Sequence, residues 1–167
     1  MIRLASAQDV GAIGEVHVRA WQEIYRGHMP DDYLASLDAS KRAAMWAQHL
    51  MDPARLLFVA LRGTTIVGFC SLVPSRDAGA APDVAEISAI NIDPSSWRCG
   101  YGSALVDASL TAARERSFKR LTLWVLQGNA RARAFYEARG FATDGATKTE
   151  ALRGFSLSEV RYQRGLD

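Results

Sequence analysis

The chain has 167 residues, 49% of them apolar and 23% charged, with 20 basic and 18 acidic side chains and a formal charge of +2. That length suits one domain with a substantial core, spanning residues 1–167. The small, dispersed charge argues against nucleic acid or an anionic membrane as partner. Cys70 and Cys99 make neither a disulfide framework nor a metal site. The first ten residues lack the features of a signal peptide, and no apolar run approaches the about 18 residues of a spanning helix. A cytoplasmic, reducing setting is therefore expected.

Residues 2–4 read as a short strand, after which Ser6 and Asp9 form a capping-box pattern that opens a helix. Val10, Ile13, Val16, Ala20 and Ile24 recur at helical spacing, so this helix buries one face to about Tyr25 and ends at Gly27. Pro30 starts a second helix running to Leu37. Ser40 caps a third over residues 41–50, with Met45, Trp46 and Leu50 turned inward. Residues 56–61 and 66–73 are apolar, β-rich runs joined as a hairpin by Arg62-Gly63-Thr64-Thr65. A small-residue loop over 75–83 leads to a strand at 84–92 and a helix at 102–116. Residues 121–126 form another strand, 129–139 a helix stopped by Gly140, and 141–146 and 155–162 two closing strands. Strands and helices mixed in this order, with a hairpin in the middle, predict an α/β fold: a three-layer sandwich on a mixed sheet.

The most informative stretch is residues 86–105. A β-branched run passes through Asp93-Pro94 into Cys99-Gly100-Tyr101-Gly102-Ser103, and Ala104, Leu105 and Ala108 then open a helical pattern. Strand, glycine turn and helix N-terminus in that order make an anion cradle, because glycines admit close approach and free N–H groups attract phosphate. Without a Lys-Ser or Lys-Thr after the second glycine it is not a nucleotide-triphosphate loop. It also lacks the spaced third glycine and later acid of a dinucleotide fingerprint.

A second segment, N-A-R-A-R-A-F-Y-E-A-R-G-F, puts Asn129 at a helix start, Phe135-Tyr136 in its third turn and Gly140-Phe141 at the exit. Together the two segments resemble the GNAT superfamily of acyl-CoA-dependent N-acyltransferases. The resemblance covers residues 86–141 tightly and implies a GNAT-like three-layer α/β/α sandwich with a mixed, mostly antiparallel sheet. It also implies acetyl-CoA as co-substrate and no metal. By it, the backbone of Ile90, Asn91 and Ile92 pairs with the pantetheine arm, and Arg98, Cys99, Gly100, Tyr101, Gly102 and Ser103 hold the pyrophosphate. Asn129 and Phe135 lie along the arm, Tyr136 is the general acid, and the Ile90 N–H is the oxyanion donor. Glu86 stands where some members place a general base; a strand-end glutamate paired with a neighbouring arginine is the other reading. Trp97 and Cys99 depart from the family's basic residues, so the cradle is expected to be mostly backbone.

Acyl transfer to nitrogen requires an ammonium of pKa near ~10 to lose a proton and a thiolate to gain one. A phenol suits the second task. His17, His28 and His49 lack metal-ligand spacing. Trp21, Tyr25 and His28, with Asp31 or Asp32 beyond, are candidates for an aromatic and acidic wall around a cationic amine. The expected acceptor is a primary amine of a small molecule or peptide, and a homodimer is compatible with an apolar sheet edge. A non-catalytic acyl-CoA sensor and a nucleotide-dependent enzyme are the alternative readings.

Overall fold

A computed structural model describes residues 1–152 and 154–167, apart from the side chain of Leu152. The strands are β1 (Ile2–Leu4), β2 (Leu56–Arg62), β3 (Thr65–Pro74), β4 (Val84–Ile92), β5 (Arg120–Leu126), β6 (Ala142–Leu152) and β7 (Phe155–Gly165). The helices are α1 (Val10–Ile24), α2 (Asp31–Ala35), α3 (Ala39–His49), α4 (Tyr101–Glu115) and α5 (Ala130–Glu137). The seven strands form one sheet in the order β1-β2-β3-β4-β5-β7-β6. Only β4 and β5 run parallel; every other neighbouring pair is antiparallel.

Strand alternation separates two cores. Along β2, Leu57 and Val59 pack with Ile13 and Val16 of α1 and Trp46 of α3. Phe58 and Ala60 face the opposite way, onto Leu105, Val106 and Leu110 of α4, and the same core takes Tyr136 of α5. A strand buried on both faces reads as a continuous apolar run, as β2 and β3 do. The result is the expected three-layer sandwich with a mixed, mostly antiparallel sheet. Among the described residues no helix is long and apolar enough to cross a membrane.

Several boundaries differ from expectation. Asp38, not Ser40, caps α3, accepting from the N–H groups of Ser40 and Lys41. A carboxylate also complements the positive helix end, which a hydroxyl does not. Pro30 is the cap of α2 rather than its first residue, and that helix stops at Ala35. At the first turn, the Ser6 N–H and hydroxyl both donate to Asp9, at 2.7 and 3.0 Å, and Arg3 adds a two-pronged ion pair. That partnership holds the Asp9 carboxyl well below the usual range. β6 and β7 extend well past the expected ends, because their polar, threonine- and serine-rich outer halves pair with each other as a hairpin.

The parallel pair governs the rest. Register between β4 and β5 runs only from Val84↔Arg120 to Ile87↔Leu123, although β4 continues to Ile92 and β5 to Leu126. On the other side of β4, Ser71 faces Ala89 and Leu72 faces Ile87, so Ser88 is an extra, bulged residue. Bulges bend a strand and increase its twist. The two strands part where the bulge lies, leaving the β4 backbone beyond it without a β5 partner.

Helices α1 and α3 touch closely at Gly14, where an added Cβ would strike the Ala39 carbonyl and lie 2.9 Å from the Ala43 nitrogen. Gly14→Val should therefore lower stability by about 1–3 kcal/mol through overpacking against backbone that cannot yield. Thermal unfolding of the variant beside the parent measures this, and an unchanged Tm would disprove the close fit.

Candidate active site

Two cavities open where β4 leaves β5. The larger, about 670 Å³, lies over the glycine turn and is lined by Ile92, Trp97, Arg98, Tyr101, Ser103 and Phe135 among others. Gly100 has φ +83° and caps α4, while Arg98 holds φ +62°, a conformation uncommon for a side-chain-bearing residue. Alternating left-handed residues before a helix turn successive N–H groups toward one point, which makes a concave anion site. Gly102 faces the ring of Phe135, whose Cζ would lie 3.5 Å from an added Cβ. The Ser96 hydroxyl borders the same space, fully buried and without a hydrogen-bond partner.

The basic side chain absent at Trp97 comes from elsewhere. Trp97 donates its indole N–H to the Ile92 carbonyl at 2.9 Å, and the Arg131 guanidinium stacks 4.0 Å above its ring. Arg131 lines the cavity from the first turn of α5. Asn129 caps that helix by accepting the Ala132 N–H at 3.0 Å. The exposed Cys99 and the buried Cys70 are both free thiols.

The second cavity, about 360 Å³, lies between α1, α3 and the splayed ends of β4 and β5. Ile24, Ile90, Asn129, Ala132 and Tyr136 border both spaces. Tyr136 is buried beside Phe135, Phe141 and Tyr162, and its phenol pKa is pushed well up, chiefly by burial. Tyr25, stacked on Trp21 at 4.6 Å, is pushed up to about 12, also chiefly by burial.

Of the predicted acceptor wall, Trp21 and Tyr25 line this cavity and His28 does not; its ring lies exposed against Gly128. Asp31 and Asp32 open α2 outside the lining. In place of acids the wall carries Arg42, Arg55 and Arg76, with Glu159 as its carboxylate. Glu86 is buried and locked to Arg76, accepting from its backbone N–H at 2.9 Å and its guanidinium at 2.6 and 3.3 Å. It borders neither cavity, although Arg76 does.

The sequence profile of the acetyltransferase (GNAT) family matches residues 18–141. The chain belongs to that family. As a GNAT protein it is an acetyl-CoA-dependent acyltransferase. It is 27% identical to a probable N-acetyltransferase of Mycobacterium tuberculosis over 97% of this chain and 91% of that one. Its fold superposes on an N-acetyltransferase of Staphylococcus aureus with TM-score 0.81 at 18% identity, covering 100% and 98% of the two chains. A putative acetyltransferase of Salmonella typhimurium, solved with acetyl-CoA, superposes with TM-score 0.77 at 20% identity, covering 100% and 94%.

Sequence reasoning missed four functional candidates of this GNAT domain: His17, Arg55, Arg76 and Arg131. Only Arg131 carried a local signal, two residues after the capping Asn129. The others meet through the tertiary fold. His17 accepts the Trp46 indole N–H on Nδ1 at 2.9 Å, which leaves the proton on Nε2. Nε2 is buried without a partner. Burial, then the nearby Arg42, lower the imidazole pKa to about 3.

An unfolded histidine titrates near about 6.5, so below that pH the unfolded chain binds a proton that the folded chain refuses. Stability contributed here is complete above about 6.5 and drains as pH falls toward about 3. Between about pH 7.5 and about pH 4.5 the parent should therefore lose more Tm than His17→Gln, which cannot titrate. Parallel losses in the two proteins would refute the buried neutral ring.

Proposed function

We propose that residues 1–167 act as one N-acetyltransferase domain transferring acetyl directly from acetyl-CoA to a primary amine. In this reading the glycine-turn cavity receives the cofactor and the arginine-lined cavity receives the acceptor. One observation carries it: Tyr136, Ile90 and Asn129 border both spaces, so a proton donor and a strand backbone stand at a junction two substrates would share. A sensor would need only the first cavity.

The residues present fit acetyl-CoA. Left-handed Arg98 and Gly100, the amides opening α4, the orphaned Ser96 hydroxyl and the Arg131 guanidinium form a set of donors suited to pyrophosphate. Beyond Ile87, β4 has a free edge on the β5 side, which suits pairing with amide groups in the manner of an added strand. When bound, acetyl-CoA supplies an acetyl group already activated as a thioester.

The protein's own part is positional and electrostatic. Burial keeps the Tyr136 phenol protonated through neutral pH, so it can donate to a departing thiolate and cannot act as a base. The Ile90 N–H is assigned as donor to the developing oxyanion. The acceptor's ammonium proton leaves through water to Glu159, the carboxylate on the acceptor wall. Burial raises that group's pKa, which makes it a better base than a solvated carboxylate. Glu86 is assigned to holding Arg76 in place.

Release of free thiol from acetyl-CoA across a panel of amines tests the activity. Tyr136→Phe should lower kcat by about 10²-fold or more while acetyl-CoA affinity changes by less than about threefold. Equal turnover in variant and parent would remove Tyr136 as the acid. Gly102→Asp should abolish acetyl-CoA binding, through bulk against Phe135 and charge beside phosphate, as read by calorimetric titration. Undiminished affinity there would refute the cradle.

A further inference from the structure

Among the described residues, Arg55 is a cation without a matching carboxylate in the cavity assigned to the acceptor. It precedes β2 and is half-buried. Its terminal nitrogen donates only to neutral hydroxyls, Ser71 and, at 3.2 Å, the bulged Ser88. The guanidinium Nε is fully buried with no partner. Among the described residues Arg55 forms no ion pair, and the carboxylates nearest in effect, Asp52 and Glu86, are outweighed by burial and by repulsion from Arg76.

Beyond these hydroxyls Arg55 has the Trp46 ring, 6.0 Å from its guanidinium carbon, and neither carries a compensating negative charge. Folded chains rarely desolvate an arginine in this way, since a buried, unpaired charge is costly. Arg42 adds a second cation on the same wall, stacked on Trp21 with its guanidinium carbon 5.0 Å from the ring centre. Arg76 is already matched by Glu86, and Glu159 by Lys148 at 3.7 Å. The unmatched charge on the wall is thus positive, carried by Arg42 and Arg55. The buried neutral His17 offers a further unused N–H donor among the lining residues. A polyamine or a lysine side chain would bring more positive charge to this wall. An amine that also carries an anion would neutralise it.

We propose that the acceptor is a small amine bearing a carboxylate, of the free amino acid class, with the carboxylate held by Arg55 and assisted by Arg42 and the His17 N–H. The planar guanidinium fork fits a carboxylate in two-pronged fashion. Ser88 fixes Arg55 and lies two residues before Ile90 on the same strand, at most about 7 Å along it given the bulge. That interval is on the scale of a small amino acid, and a cavity of about 360 Å³ is of small-molecule size. The anion site and the transfer junction are therefore at opposite ends of one short substrate.

This inference rests on the acetyltransferase reading, and one comparison separates the two. Glycine, L-alanine, L-methionine and L-glutamate are each assayed as the free acid and as the carboxamide, with spermidine and a lysine peptide as cationic amines, by thiol release from acetyl-CoA. The same compounds are titrated calorimetrically into the CoA complex. At least one free acid should exceed its own carboxamide by about tenfold or more in kcat/KM and in affinity, and should exceed both cationic amines. Arg55→Gln should bring that ratio close to one mainly through KM, and Arg55→Lys, which keeps the charge but not the fork, should restore part of it. Equal use of acids and amides, preference for spermidine or the peptide, or failure of every free acid to bind would overturn the carboxylate site. If Arg55→Gln does not fold, the parent's own acid-to-amide ratio still decides the matter. The acetyltransferase reading fails on a different result, the absence of acetyl-CoA binding or of thiol release with every amine.

Discussion

The separation of β4 from β5 after Ile87 is the constraint on which the rest of the molecule depends. A continuous parallel pair would satisfy both backbones and leave no gap in the middle of the sheet. The bulge at Ser88 turns β4 away from its neighbour, so that an interior strand acquires a free edge within an otherwise continuous sheet. Free edges are normally hazards of the sheet margin. Here helices α1, α3 and α5 contribute to the walls around the edge, and two cavities border it. The same Ser88 that distorts the strand also holds Arg55, so backbone geometry and the charge of the pocket share one residue.

The two cavities meet different electrostatic problems by different means. Over the glycine turn, the donors proposed for an anion are backbone amides beside left-handed residues, together with one side chain, Arg131, stacked on Trp97. On the acceptor side the charge resides in discrete guanidinium groups set by hydroxyls and by Glu86. A loop that carries no regular structure contributes to that second wall. Asp77 accepts the Trp124 indole N–H and pairs with Arg161, and this anchors the chain beside Arg76.

Much of this architecture was legible in the sequence because it is local. Apolar, β-rich runs located six of the seven strands within a few residues, and the glycine turn and the Asn129 cap lie where backbone chemistry requires them. Capping of α3 was misassigned because Asp38 and Ser40 are both good caps, and only the chain's path selects the carboxylate. The hairpin of β6 and β7 was shortened because the outer half of β6 is mostly polar and gives no apolar alternation, although it pairs with a β7 segment whose Leu157 is buried with Met29, Leu34 and Leu126. Arg55 and His17 gave no local signal. Arg55 stands between a helix end and an apolar strand, where a basic residue is commonplace, and its meaning comes from Ser71 and Ser88, 16 and 33 residues away. Glu86, by contrast, drew attention through its position, which left open a general base or an arginine-paired glutamate; the structure pairs it with Arg76.

The His17–Trp46 hydrogen bond ties α1 to α3 in the middle of a hydrophobic core, and both residues also line the acceptor cavity. The floor of the pocket is therefore made from residues on which folding itself depends. Natural drift or directed evolution of acceptor range cannot freely use those positions, because each exchange there is also a core exchange. The partly exposed rim positions Arg42 and His49 are less bound by this double duty, whereas Met45 also packs against the core. New specificities in this lineage should accumulate at the mouth of the cavity, leaving the floor as a shared inheritance.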